Sequence, residues 1–207
     1  IKRANIIWRD DVAGSLLAVR KLEISTGRFV SGEPLDLHLG FELARDKAAP
    51  IKAVLQSRLT ASPDALKLAK LDLKVDDSHL TGSMEIRNFS SPAVRFDLAL
   101  DRIDLDRYLD SGKPAGAPAA SAKSAPAAAG QPVELPLSTL RSLDVNGKFR
   151  IQEMKALGLR TQDARIQLNA KNGLIAFGPN QAKLYGGGYR GETVLDVRGK
   201  TPQVKMD

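Results

Sequence analysis

The stretch Leu35-Asp-Leu-His-Leu-Gly-Phe-Glu-Leu43 decides the fold class. Leu35, Leu37, Leu39, Phe41 and Leu43 occupy every second position, and Asp36, His38, Gly40 and Glu42 fill the places between them. Period-2 alternation is the mark of a β-strand with one apolar and one polar face, because successive side chains point to opposite sides. The pattern recurs. In Leu80–Arg87 the apolar positions are Leu80, Met84 and Ile86, and in Val94–Asp101 they are Val94, Phe96, Leu98 and Leu100. Such strands are about 25–30 Å long at about 3.3 Å per residue, long for a compact sandwich.

Turn signals connect the strands. Asn172-Gly173 is the pair favoured in a two-residue type I′ hairpin. Pairing Lys171 with Leu174 then sets Ala170 opposite Ile175 and Leu168 opposite Phe177, so apolar side chains meet on one face. Helix is sparse: Leu137, Leu140 and Leu143 mark a helix of about two turns, and Asp104–Asp110 suits a single turn. A weak internal echo is also visible, with Gly82, Ile86, Val94, Phe96 and Asp97 matching Gly191, Leu195, Val204, Met206 and Asp207. The expectation is a mainly β fold: a long, curved antiparallel sheet forming a groove, with a few short helices.

One segment departs from this pattern. Residues 111–132 hold nothing more apolar than alanine and are rich in Pro, Gly and Ser, a composition that cannot offset the entropy of ordering. The chain is therefore divided into a β segment 1–110, a disordered linker or insertion 111–132, and a β segment 133–207 that completes the same sheet. Of the 207 residues 43% are hydrophobic, and no run reaches the roughly 18–20 apolar residues a membrane helix requires. Opening at Ile1 and stopping inside a strand-like Pro202–Asp207, the chain reads as a piece of a longer protein. It has no cysteine, which excludes disulfides and thiolate metal sites. The net charge of +7 arises entirely after Asp110, since residues 1–110 carry 17 basic and 17 acidic side chains. Aromatic residues do not interleave with the basic ones as single-strand nucleic-acid platforms require, so nucleic acid is not expected as a partner.

The glycines of Leu184–Gly191 fit the G-x-G-x-x-G spacing at Gly186, Gly188 and Gly191. A dinucleotide site also needs a helix opening through the glycines and an acidic residue about 20 positions later. Here a strand-like Glu192–Asp196 follows and the chain ends, so Gly186 to Gly188 are expected to form a turn or bulge of positive φ. His38 lies on the polar face of a strand and His79 in a turn-like stretch, each reading as a surface histidine. Asp101, Asp104, Asp106 and Asp110 would suit a divalent cation, but Arg102 and Arg107 are interspersed and the calcium-loop glycine is missing. No catalytic, cofactor-binding or metal-binding residues are assigned, and an enzyme is the least expected class.

Three stretches carry a family resemblance: Ala4–Leu43, Pro92–Leu109 with its Asp-Leu-Asp-Arg-Tyr-Leu ending, and Leu140–Gly199. In this order they resemble the AsmA family of bacterial envelope proteins. The resemblance implies the periplasmic region of a protein held in the Gram-negative inner membrane by an N-terminal helix that this sequence does not include. It also implies a role in outer-membrane biogenesis. The family is similar to bridge-like lipid-transfer proteins, whose curved sheets carry lipid along an apolar groove. The corresponding lining here is Leu37, Leu39, Phe41, Met84, Ile86, Phe96, Leu98, Leu168, Phe177 and Leu195, and the expected ligand is phospholipid or another envelope lipid. The alternative is an interaction scaffold for outer-membrane protein assembly whose apolar face is filled by its own chain.

Overall fold

A computed structural model of the protein describes residues 1–10, 15–45, 50–108, 137–199 and 201–207. The linker assigned to 111–132 lies outside the described residues. Twelve strands run in chain order: β1 (Ala4–Asp10), β2 (Ser15–Thr26), β3 (Pro34–Arg45), β4 (Ile51–Ala61), β5 (Ala65–Val75), β6 (Ser78–Arg87), β7 (Ala93–Asp104), β8 (Asp144–Ala156), β9 (Leu159–Lys171), β10 (Leu174–Leu184), β11 (Gly187–Asp196) and β12 (Gln203–Met206). A 3₁₀ turn (Leu105–Arg107) follows β7, and the helix α1 (Leu137–Ser142) precedes β8, both where the sequence placed them. Each strand lies beside its neighbours in sequence, so the chain forms one sheet of order β1 through β12.

The expected antiparallel sheet is corrected at one joint. Ten pairings are antiparallel, but β7 and β8 are parallel, with Ala93 beside Asp144 and Asp104 beside Lys155. Parallel neighbours need a crossover of a dozen residues or more, and residues 105–143 supply one. The sheet is thus mixed, and both β segments belong to it.

The 172–173 hairpin forms in the expected register, with Lys171 opposite Leu174 and Leu168 opposite Phe177. Asn172 and Gly173 have φ of 51° and 79°, both left-handed as a type I′ turn requires. The glycine-rich stretch differs from its expectation in detail. The turn is Tyr185-Gly186, with φ of 46° and 82°, whereas Gly187 and Gly188 already belong to β11 and need no positive φ. A strand, not a helix, follows these glycines.

Several strands carry a phase shift in their alternation, β9 at Asp163 among them. In β5 the apolar positions run Leu66, Leu68, then Leu71, Leu73 and Val75, and the register slips between Leu68 and Leu71 where Lys70 has φ of 51°. Comparable slips occur in β2 around Lys21 and in β10 between Phe177 and Asn180. Such bulges bend a strand and increase its twist, which curls a wide sheet. Two buried polar side chains satisfy the disturbed backbone: Ser57 Oγ donates to Ala69 O at 3.0 Å, and Asn180 Oδ1 accepts from Gln167 N at 3.1 Å.

The internal echo extends well beyond the residues that first suggested it. Leu59–Leu68–Met84 and Leu168–Phe177–Thr193 form equivalent cross-strand rows, as do Leu71–Gly82 and Asn180–Gly191. The turn Asp76-Asp77 corresponds to Tyr185-Gly186, and the bulges coincide. Ile86 opposite Val94 matches Leu195 opposite Val204. The five strands β3–β7 and the five strands β8–β12 therefore follow one plan.

Packing at the central joint uses a glycine. The Phe96 ring of β7 lies against Gly147 of β8, occupying the space a Cβ would need there. Gly147→Val is expected to destabilise the sheet by about 2 kcal/mol through overpacking. Adding Phe96→Ala should recover part of that loss, a coupling readable in a double-mutant cycle of urea melts. Strictly additive losses would show that the ring does not fill this space.

Asp196 closes the path from β11 to β12. Its carboxylate accepts from the Arg198 guanidinium at 2.5 and 2.9 Å and from the Arg198 backbone N–H at 3.0 Å, which hold its pKa down at about 2. Because the folded-state value lies below the usual 3.8, the contact stabilises fully above that pH and is lost as pH falls through about 2. Amide protection in Gln203–Met206 should therefore drop over this acid range more steeply in the wild type than in Asp196→Asn. Equal profiles would remove this contact from the account.

Candidate functional site

Cross-strand partners point to the same side of a sheet, so the register traces one face from strand to strand. Starting at Leu39, the row runs through Ile24 on one side and Leu55 and Leu73 on the other. It continues through Leu80 and Leu100 to Ile151 and Ala164. A parallel row passes through Leu68, Met84, Phe96, Gly147, Leu168 and Phe177.

All ten lining residues assigned from the sequence fall on this face. Leu37 and Phe41 flank Leu39 on β3; Ile86 faces Val94 and Leu66; Leu98 lies between Gly82 and Phe149; Leu195 lies between Ile175 and Val204. The register adds residues the sequence reading did not select, chiefly Leu55, Leu59, Leu68 and Leu73 on β4 and β5. Their signal was the phase shift at Ala69-Lys70, which interrupts simple alternation.

Substantial contacts run only between adjacent strands, apart from those of β8 with the 3₁₀ turn, so no second layer packs on this face among the described residues. Most of its large side chains are half-buried, and Phe177 is 43% exposed. The face is nevertheless the more sheltered of the two. Leu35, Ala53, Leu71, Ile151, Ala164 and Ala170 are buried on it, while Lys52, Arg58, Lys148, Arg150 and Arg165 stand exposed on the other. In a single layer this asymmetry means that the apolar side is concave, its side chains crowding one another as the sheet curls.

The alternation shifts by one residue near one end of β7, β8 and β9. Ile103, Met154 and Thr161 form the row that meets Leu184 on the apolar face, so Arg102, Glu153 and Gln162, in the row of Lys183, stand on the polar face with Asp104, Lys155 and Arg160. These residues, with Arg107 and Tyr108, line an open cavity of about 600 Å³. Lys155 Nζ lies 3.0 Å from Asp104 and 3.5 Å from Asp106. Asp106 accepts the backbone N–H groups of Gly158 and Leu157, which, with Lys155, hold its carboxyl below the usual range. Tyr108 donates to Asp76 at 3.1 Å, and burial beside that carboxylate raises its pKa.

The aspartates weighed as cation ligands are engaged otherwise: Asp101 accepts from His79 N at 2.7 Å, and Asp104 and Asp106 hold Lys155. Asp110 lies outside the described residues. Among the described residues, no group of three or more His, Cys, Asp or Glu is placed to hold a metal ion. His79 is within β6 rather than a turn, its Nε2 2.9 Å from Asp72 on the polar face, and His38 also lies on that face.

The fold and site define an open, single-layer β-sheet with a concave apolar surface and a charged opposite face. No family model matches the chain, no curated protein matches it, and no solved structure matches it.

Proposed function

We propose that this sheet is a lipid-handling groove. The carrying observation is a concave apolar face, continuous across the strands and uncovered among the described residues. From Val94 to Leu100 the apolar part of β7 covers about 20 Å along the strand. An acyl chain spans half of a roughly 30 Å bilayer core, about 15 Å. A chain laid along β7 and β8 thus stays on apolar surface, which continues past Leu100 and Ile151 through Ile103 and Met154. Removing a dozen methylenes from a bilayer costs about 10 kcal/mol, which contact with this surface offsets without specific recognition. Aliphatic side chains suit such a role because they accept any saturated chain.

The AsmA-like stretches support the same reading and extend it. On that basis the protein is a non-enzymatic component of Gram-negative envelope biogenesis, in the periplasm, passing phospholipid or a similar lipid between inner and outer membrane. A scaffold with a filled apolar face draws no support from the packing, since nothing covers the face among the described residues.

A photoreactive amino acid at Leu39 tests the proposal. In cells expressing the protein, irradiation is expected to give lipid adducts at Leu39 and none at His38, the adjacent position on the polar face. Equal labelling at both positions, or none at either, overturns it.

A further inference from the structure

The two five-strand units differ in what lies beyond their last strand. Next to β7 stands β8, parallel and gripped by two ion pairs on the polar face. Arg95 Nη2 lies 2.5 Å from Asp144 Oδ1, and Asp97 Oδ1 lies 2.8 Å from Arg150 Nη2. The Arg95 guanidinium also donates to the Asp144 carbonyl at 3.2 Å. Among the described residues no strand pairs with the outer edge of β12.

Yet β12 repeats β7 position by position. Val204 faces Leu195 as Val94 faces Ile86. Asp207 exchanges backbone hydrogen bonds with Glu192, at 3.1 and 3.0 Å, in the place where Asp97 faces Ser83. Lys205 therefore stands where Arg95 stands, and Asp207 where Asp97 stands, both exposed on the polar face. Among the described residues neither side chain has an ion-pair partner. On the apolar face Val204 and Met206 take the places of Val94 and Phe96, and Met206 is 76% exposed. The edge thus keeps both the charges and the apolar positions with which β7 holds β8.

We infer that the open edge of β12 is an acceptor for a further strand, laid parallel to it in the register of β8 on β7. The occupant is a strand of the β8 type, the first of another five-strand unit. It has an acidic residue at its start, a basic residue six positions on, and apolar or small residues between them at alternate places. The acid meets Lys205 and the base meets Asp207. The chain's own other edge strand does not fit this description, because the residues opening β1 are basic, Lys2 and Arg3, where an acid is required. Strand addition here lengthens the apolar face past Leu195 and Val204. The inference rests on the internal duplication and not on what the face carries.

The absence of cysteine makes a disulfide test clean. Val204→Cys in the present chain is mixed under mild oxidation with a synthetic peptide of residues 144–156, one cysteine placed in turn at each position. On β7 the residue beside Val94 is Val145, so Val145→Cys is expected to link to Val204→Cys at least about tenfold more than a cysteine at 149 or 151. Lys205→Glu with Asp207→Lys should reduce that link, and a peptide carrying Asp144→Lys and Arg150→Glu should restore it. Circular dichroism of each variant confirms that the sheet is intact. Preferred linkage near the far end of the peptide, as in an antiparallel docking, overturns the inference. So does linkage without positional preference, or none, or indifference to the charge exchange. Lipid adducts at Leu39 are measured separately, so the two proposals fail independently.

Discussion

Valine in place of Gly82 is expected to cost several kcal/mol, enough to lower the thermal midpoint by roughly 10 °C. Gly82 has φ of 141°, a conformation that side-chain-bearing residues rarely adopt. A Cβ there would also strike the backbone carbonyl of Asp97 on the neighbouring strand. Backbone cannot rotate away as a side chain can, so β6 and β7 must separate or the strand must re-bend. The affected pair lies beside the β7–β8 joint, where the two five-strand units meet. Gly188→Val is the control: nothing lies within 4 Å of its Cβ position and its φ is not positive, so its effect should stay within about 0.5 kcal/mol. Melting both variants by circular dichroism checks the contrast. Similar midpoints for the two would mean that the close approach at Gly82 does not constrain the sheet.

That contrast shows where sequence reading succeeds and where it stops. The Asn172-Gly173 hairpin was legible down to its register, because type I′ geometry and apolar pairing are both local. The alternation in β3, β6 and β7 likewise identified which side chains share a face. Direction was not legible. Alternation says which way a side chain points but not which way a strand runs, and the parallel entry of β8 depends on the end to which the crossover delivers the chain. Bulges were legible only afterwards, as with Leu68 and Leu71, where a shift of phase resembles noise until the neighbouring strands fix it. The charged end of the polar face was missed for a related reason. Arg102 and Asp104 were read as part of an acidic run, and the phase shift after Leu100 that puts Ile103 on the apolar face and both charged residues on the other shows only in the register. The glycines of β11 show the opposite error, in which a known spacing drew attention from Tyr185, the residue that opens the turn.

The second large effect is expected from Leu98→Arg. Leu98 is half-buried in the middle of β7, with Gly82 on one side and Phe149 on the other. If the apolar surface were covered by another layer, an unpaired guanidinium at this point would cost several kcal/mol and unfold the sheet. On an open concave surface the side chain lies along its neighbours and brings its charge to water. The melt should then stay within a few degrees of the wild type. Lipid handling should not survive so well. A charge at β7 divides the apolar lane into a β3 side and a β10 side, and an acyl chain crossing it must pass a hydrated cation. Photoreactive positions at Leu39 and Phe177 sample the two sides. Adducts on one side are expected to persist while those on the other fall about tenfold or more, and the side that loses them is downstream of the point where lipid enters. Ser83→Arg puts the same charge on the polar face of the adjacent strand and should leave both adducts unchanged. Unfolding of Leu98→Arg would show that the face is covered in the intact protein, and undiminished adducts on both sides would show that no lipid path crosses β7.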